Sequence, residues 1–159
     1  NYEKAVALAP KEKTYSDTLR DARLAVNQAK AAPLLESAYK KQTATPPDYP
    51  GAIADYLGAL RIADDPGTHF NLGTAYQGKG DNAQALQEYT KAIQGDGKNP
   101  DHYYYRATVY EALQQIPAAK SDYAKYLQLA PTGQNAADAK ERLKVLGGAA
   151  PAKPPARRR

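Results

Sequence analysis

Self-similarity at one fixed spacing constrains this chain more than any other feature, because repeated units must stack to bury a core. Segment 66–99 superimposes on 100–133 at an offset of 34 residues: Tyr76 falls on Tyr110, Ala85 on Ala119, Tyr89 on Tyr123, Ile93 on Leu127. An earlier copy carries the same two words. Leu35, Ala38 and Tyr39 precede Leu72, Ala75 and Tyr76 by 37, while Ala52 and Tyr56 precede Ala85 and Tyr89 by 33. The difference of four reads as an insertion, Thr43-Ala44-Thr45-Pro46, in the turn between two helices.

Each copy reads as a helix pair. Ala83, Leu86, Tyr89, Ala92 and Ile93 recur at spacings of three and four, and Leu72, Ala75 and Tyr76 share one side of the preceding helix. Gly80-Asp81 combines a helix-end glycine with a capping carboxylate. Pro66, Pro100 and Pro131 mark boundaries, since proline starts a helix but cannot continue one. No stretch alternates with period two for long enough to make a strand. The fold class is all-α.

The chemistry available is narrow. The 159 residues include 13 Tyr, one Phe, no Trp and no Cys, which excludes disulfides, cysteine-bound metal and thiolate catalysis. Two histidines cannot complete a four-ligand structural site. The net charge of +5 is concentrated in the tail. Residues 149–159 supply four of those charges, on Lys153, Arg157, Arg158 and Arg159, and the other 148 residues carry +1. No apolar run approaches the roughly 18 residues of a membrane span. Asn1 at the start and the absence of Met point to a piece of a longer protein, so compartment and targeting stay unread.

These residues carry a resemblance to the tetratricopeptide repeat family. Its pattern is an aromatic, then L-G-x-x-Y, then A-x-x-x-[FY]-x-x-A, then Pro, over 34 residues. The copy at 66–99 has Leu72, Gly73, Tyr76, Ala85, Tyr89 and Ala92, with His69 at the first aromatic. The copy at 100–133 has Tyr103, Tyr110, Ala119, Tyr123 and Pro131, but Arg106, Ala107 and Tyr126 depart from the pattern. The resemblance implies a helical solenoid of stacked antiparallel pairs, with no cofactor or catalysis. Its function would be a protein-interaction scaffold holding a partner peptide or protein segment in a concave groove.

The expected organisation follows. Residues 1–10 match 122–131 and read as the truncated second helix of an upstream repeat. Residues 14–30 read as a lone or capping helix, with Leu19, Ala22, Val26 and Ala29 on one side. A single helix over 14–42, kinked at Pro33, is the alternative, and the hydrogen bond proline removes favours two helices. Residues 31–65 form a repeat with the turn insertion, 66–99 and 100–133 two more, and 135–147 a C-terminal capping helix. The Ala/Pro/Arg tail, 148–159, is expected to be disordered and contains a P-x-x-P that chance readily produces.

Numbering each repeat from Pro66 and Pro100, positions 4, 7, 8 and 11 face the partner helix, and positions 5, 9 and 12 turn roughly 110° or more away. Phe70 and Tyr104 both occupy position 5. They would form an aromatic strip in the groove, beside Asn71, Thr74, Gln77, Tyr105 and Thr108, with Lys40 and Lys41 at its edge. The alternative is that both aromatics pack against neighbouring first helices.

Some family members clamp a C-terminal carboxylate with Lys, Asn and Arg side chains. Here only Asn71 matches, with Asp101 and Tyr105 at the two basic positions of the third repeat and Pro33 and Ser37 in the first. Gly73 to Lys79 spells G-x-x-x-x-G-K, yet Gly80 replaces the magnesium-binding hydroxyl and Gly73 falls inside a helix. The run 95–99 lacks the spaced acids of a calcium loop. His69 and His102 read as packing residues. Self-association through exposed repeat ends is the second functional reading. Nucleic-acid binding through the basic tail is disfavoured by the near-neutral body.

Overall fold

The computed structural model describes residues 2–147, with side chains from Asp17 onward. Among the described residues seven helices follow one another: α1 (Tyr2–Gln42), α2 (Tyr49–Ile62), α3 (Pro66–Lys79), α4 (Asn82–Gly95), α5 (Pro100–Ala112), α6 (Ile116–Leu129) and α7 (Ala136–Val145). No strand occurs among the described residues. The end of α1 pairs with α2, α3 with α4 and α5 with α6, and each pair stacks on the next, with α7 against α6. The fold is an all-α helical solenoid. The tail 148–159 lies outside the described residues.

Local chemistry sets the boundaries. Asp48, Asp65 and Asp81 each accept a hydrogen bond from the backbone N–H three residues on, at 2.9, 2.7 and 3.3 Å. Asn99 caps the Asp101 N–H at 3.0 Å. These bonds satisfy donors that a helix start leaves free. The α3–α4 turn closes through Gly80 at φ 89°, in the left-handed region. The equivalent turn after α5 puts Gln114 there, at φ 58°. A side chain in that conformation costs roughly 1–2 kcal/mol, and glycine gives back only about half in chain entropy. Gln114→Gly should therefore stabilise the protein by about 0.5–1 kcal/mol. A raised urea midpoint with unchanged slope is the expected reading, and a lowered midpoint contradicts it.

The core alternates small and large residues between paired helices. Gly73 lies beneath the Tyr89 ring, where an added Cβ would come within 2.7 Å of it. Ala107 with Tyr123 and Ala38 with Tyr56 belong to the corresponding clusters of the other two pairs.

The register of the first pair differs from the sequence reading. Tyr56 Oη donates to Gln42 Oε1 at 2.9 Å, Tyr89 to Gln77 Oε1 at 2.8 Å and Tyr123 to Glu111 Oε2 at 3.0 Å. Gln42 is therefore the counterpart of Gln77, and Ala38 stands where Gly73 and Ala107 stand. The offset is 35 rather than 37, so the first turn is longer by two residues, not four. Leu35, Ala38 and Tyr39 match Leu72, Ala75 and Tyr76 in composition but not in register.

Residues 14–42 are also one helix, continuous from Tyr2, rather than two separated at Pro33. Pro33 and Ala29 are both exposed, so the carbonyl that loses its N–H partner is free to meet water. Between Asp17 and Lys30 most side chains of α1 are exposed, and Leu19, Leu24 and Val26 are about half exposed. At the other end, Ala136, Ala139 and Leu143 of α7 are buried in one cluster with Tyr126 and Leu127.

Candidate peptide groove on the first-helix face

One face of the solenoid is shared by α1, α3, α5 and α7, and a ladder of side chains runs along it. Gln42 Nε2 donates to Thr74 Oγ1 at 2.8 Å, and Gln77 Nε2 donates to Thr108 Oγ1 at 3.1 Å. Thr74 and Thr108 give their own hydrogens to the carbonyls of Asn71 and Tyr105, at 2.7 Å each. That leaves lone pairs on each hydroxyl for the glutamine. Each glutamine thus accepts from a core tyrosine and donates to the next repeat. Its amide orientation is fixed by both bonds.

The expected groove residues distribute unevenly over this face. Thr74, Gln77 and Thr108 are ladder members. Asn71 is exposed. Phe70 is half-buried, its ring 5.7 Å from Tyr89, 5.2 Å from His102 and 5.1 Å from Tyr105. Tyr104 is half-buried too, 5.5 Å from Tyr105, 5.8 Å from Tyr123 and 5.4 Å from Tyr126. The rings form a chain of tilted and edge-on contacts in which Phe70 bridges α3, α4 and α5, while Tyr104 packs on α6 of its own pair. Lys41 turns toward α2, where its Nζ meets Asp55 Oδ2 at 2.7 Å beside Ser37 Oγ at 2.6 Å. Lys40 pairs with Glu36 along α1 at 2.6 Å.

The residue that sequence reasoning missed is Tyr39. In the corrected register it is the counterpart of Thr74 and Thr108 on the ladder face, and it is 63% exposed. The two-residue shift had placed it in the slot of Tyr76, on the side facing α2. Gln77 and Glu111 stand twelve residues before Tyr89 and Tyr123, but Gln42 stands fourteen before Tyr56, so a fixed spacing carries no signal for it.

Between α5 and α7 the face opens into a pocket of about 410 Å³, lined by Tyr104, Thr108, Glu111, Tyr123, Asp138 and Arg142. Tyr104 Oη donates to Asp138 Oδ2 at 2.8 Å. Burial, helped by that carboxylate, pushes the Tyr104 phenol up to about 12. Burial and then Glu111 raise the Tyr123 phenol as well. Both hydroxyls therefore stay neutral donors at physiological pH. Arg142 Nη1 approaches Glu111 Oε1 at 3.2 Å, and its Nε approaches Asp138 Oδ1 at 3.5 Å.

The other tempting chemistry resolves into packing. Gly73 is buried within α3, and Gly78 faces the Tyr49 ring, so the G-x-x-x-x-G-K run forms no phosphate loop. His102 is buried, its Nδ1 3.2 Å from the Asp96 carbonyl, and burial lowers its pKa. His69 lies between Glu88 and Asp64, with Nδ1 2.6 Å and Nε2 2.8 Å from their oxygens. No group of three or more acids, histidines or cysteines among the described residues is placed to hold a metal ion. No described helix is long and apolar enough to cross a membrane.

Comparison with known proteins agrees with this geometry. The family described as "Tetratricopeptide repeat" matches residues 66–99. The human protein "DnaJ homolog subfamily C member 3" is 38% identical over 75 residues, covering 46% of this chain and 15% of its own length. The chain thus spans only a small part of that curated relative. Among solved structures, the first TPR of Spaghetti (RPAP3) bound to the HSP90 peptide SRMEEVD superimposes with a TM-score of 0.67 at 26% identity. It covers 76% of this chain and 96% of its own. The Arabidopsis OM64 TPR domain gives 0.69 at 25% identity, covering 75% and 98%. The family match falls on one helix pair, so residues 66–99 form a tetratricopeptide repeat, and the same tyrosine register governs the pairs on either side.

Proposed function

We propose that this chain is a protein-interaction scaffold that docks a partner segment along the face formed by α1, α3, α5 and α7. The tetratricopeptide fold is an interaction module, and the peptide bound to the Spaghetti domain supports this use of it. The observation that carries the reading is Tyr39. An aromatic ring 63% exposed, on the face that continues through Asn71 to the Tyr104 pocket, has no role in the core. Exposed tyrosines of this kind serve as binding anchors, offering large contact area with few torsions to fix.

Tyr39→Ala should weaken capture of the partner by about 1–2 kcal/mol, the scale of an aromatic hot spot, while melting stays within ~0.5 kcal/mol of wild type. Capture by the immobilised full chain, compared with Tyr39→Ala and Asn71→Ala, reads this directly. Undiminished capture by both variants sinks the groove reading. A second reading, self-association, rests on the half-exposed Leu19, Leu24 and Val26 of α1. Light scattering across concentration tests it, and a constant monomer mass excludes it.

An acidic partner tail is not what this face favours. In the observed register Glu36 is the counterpart of Asn71 and Tyr105, and Ala32 of Gly67 and Asp101. These residues replace Pro33 and Ser37 at the clamp positions of the first repeat. Glu36 and Asp101 would repel a carboxylate.

A further inference from the structure

Resting on the groove reading above, we propose that the pocket between α5 and α7 is a guanidinium site, taking an arginine side chain presented by the docked partner segment. Its walls suit that group. Glu111 and Asp138 supply carboxylate oxygens on opposite helices, and Tyr104 lines the pocket beside them. A carboxylate oxygen has two acceptor sites, so the bonds from Tyr104 and Tyr123 leave room for further donors. Aromatic faces attract guanidinium groups, which also stack on them.

The pocket already holds a guanidinium, but loosely. Arg142 reaches Glu111 at 3.2 Å and Asp138 at 3.5 Å, with its side chain 48% exposed. Charge-assisted N–H···O bonds normally run about 2.7–2.9 Å. On the opposite side of α5, Arg106 meets Asp122 in a fork at 2.7 and 3.0 Å, with its side chain only 16% exposed. The same chain thus shows what a fixed arginine looks like, and Arg142 is not one. It is an occupant that a partner's arginine can displace or join, and the cost is small because Arg142 can return to water.

The volume agrees, since about 410 Å³ exceeds one arginine side chain. The pocket also opens onto the ladder face, where an extended backbone would run past Thr108. The partner's chemistry is therefore the reverse of the acidic peptide held by the Spaghetti domain.

The test uses the full chain and three fluorescein-labelled, amidated heptapeptides: alanine sequences carrying two arginines, two lysines or two glutamates. Polarisation should show the arginine peptide binding best and the glutamate peptide not at all. Asp138→Asn and Glu111→Gln should each weaken the arginine peptide roughly tenfold, as expected when one charge-assisted bond is lost. Glu141→Gln, an exposed acid elsewhere on α7, should leave binding unchanged. Arg142→Ala should tighten binding by removing the internal competitor.

Indifference of the arginine peptide to both Asp138→Asn and Glu111→Gln, with melting retained, overturns the proposal. Equal weakening by Glu141→Gln overturns it too, because that is diffuse charge attraction. Binding of the glutamate peptide, weakened by Tyr39→Ala, overturns the arginine site and keeps the groove. No binding of any peptide, together with partner capture indifferent to Tyr39→Ala, overturns both.

Discussion

Tyr89→Ala is expected to cost ~3–5 kcal/mol, enough to unfold a protein of ordinary stability. Tyr89 is fully buried, and three separate losses meet at its ring. The first is packing: its ring rests on Gly73, which has no side chain to fill the space, and lies beside Phe70 of the same pair and Tyr105 of the next. The second is the bond from its hydroxyl to Gln77 Oε1. Burial raises that phenol's pKa, so it is a proton donor throughout the working range.

The third loss is indirect. Gln77 is held in the orientation that lets its amide reach Thr108, and without Tyr89 the link between α3 and α5 slackens. Tyr89→Phe isolates the hydroxyl and should cost only about 1 kcal/mol. Urea denaturation followed by circular dichroism separates the cases. If Tyr89→Ala costs no more than the exposed Tyr39→Ala, the helix pairs have been placed in the wrong register.

The repeat was legible because its cause is local and periodic. Small residues must face large ones wherever paired helices touch, and Gly73, Ala85 and Tyr89 recur accordingly. The first pair was harder, since Leu35, Ala38 and Tyr39 imitate Leu72, Ala75 and Tyr76 in composition while occupying positions two residues away. Only a bond between helices, Tyr56 to Gln42, fixes the frame, and such bonds leave no mark in hydrophobic spacing.

Phe70 and Tyr104 illustrate a second limit. Their angle away from the partner helix suits either a groove or the flank of a neighbouring helix: Phe70 meets His102 and Tyr105 of the next repeat, whereas Tyr104 meets Tyr123 and Tyr126 of its own. Periodicity gives direction from one helix axis and says nothing about what stands there. Pro33 shows a third. Its missing donor was read as a break, but on an exposed stretch the unpaired carbonyl is free to bond water, and the helix continues.

The pair Arg106–Asp122 carries the other large expected effect. Arg106 replaces the leucine of the family pattern, and its side chain is 16% exposed against 8% for Asp122. Two parallel bonds join them, and Arg106 Nη1 also reaches Thr90 of α4 at 3.1 Å. The guanidinium carbon lies 6.0 Å from the Tyr103 ring and 5.6 Å from the Tyr110 ring. Removing either partner strands a buried charge, so Arg106→Leu and Asp122→Ala should each cost ~3–5 kcal/mol.

The intact pair contributes far less than those losses suggest, because burying both charges is itself costly. Arg106→Leu with Asp122→Ala should therefore recover most of the deficit. The second repeat argues for this outcome, since Leu72 is fully buried at the equivalent site. There Glu88, the counterpart of Asp122, pairs with His69 and Lys91 instead. The third repeat has Tyr103 where His69 stands, and Lys125, at the position of Lys91, bonds Gln128 rather than Asp122, so Arg106 carries the pairing of Asp122. A double-mutant cycle on melting supplies the number. Additive losses would mean that the two charges are solvated independently and that the seam between α5 and α6 is wetter than its geometry requires.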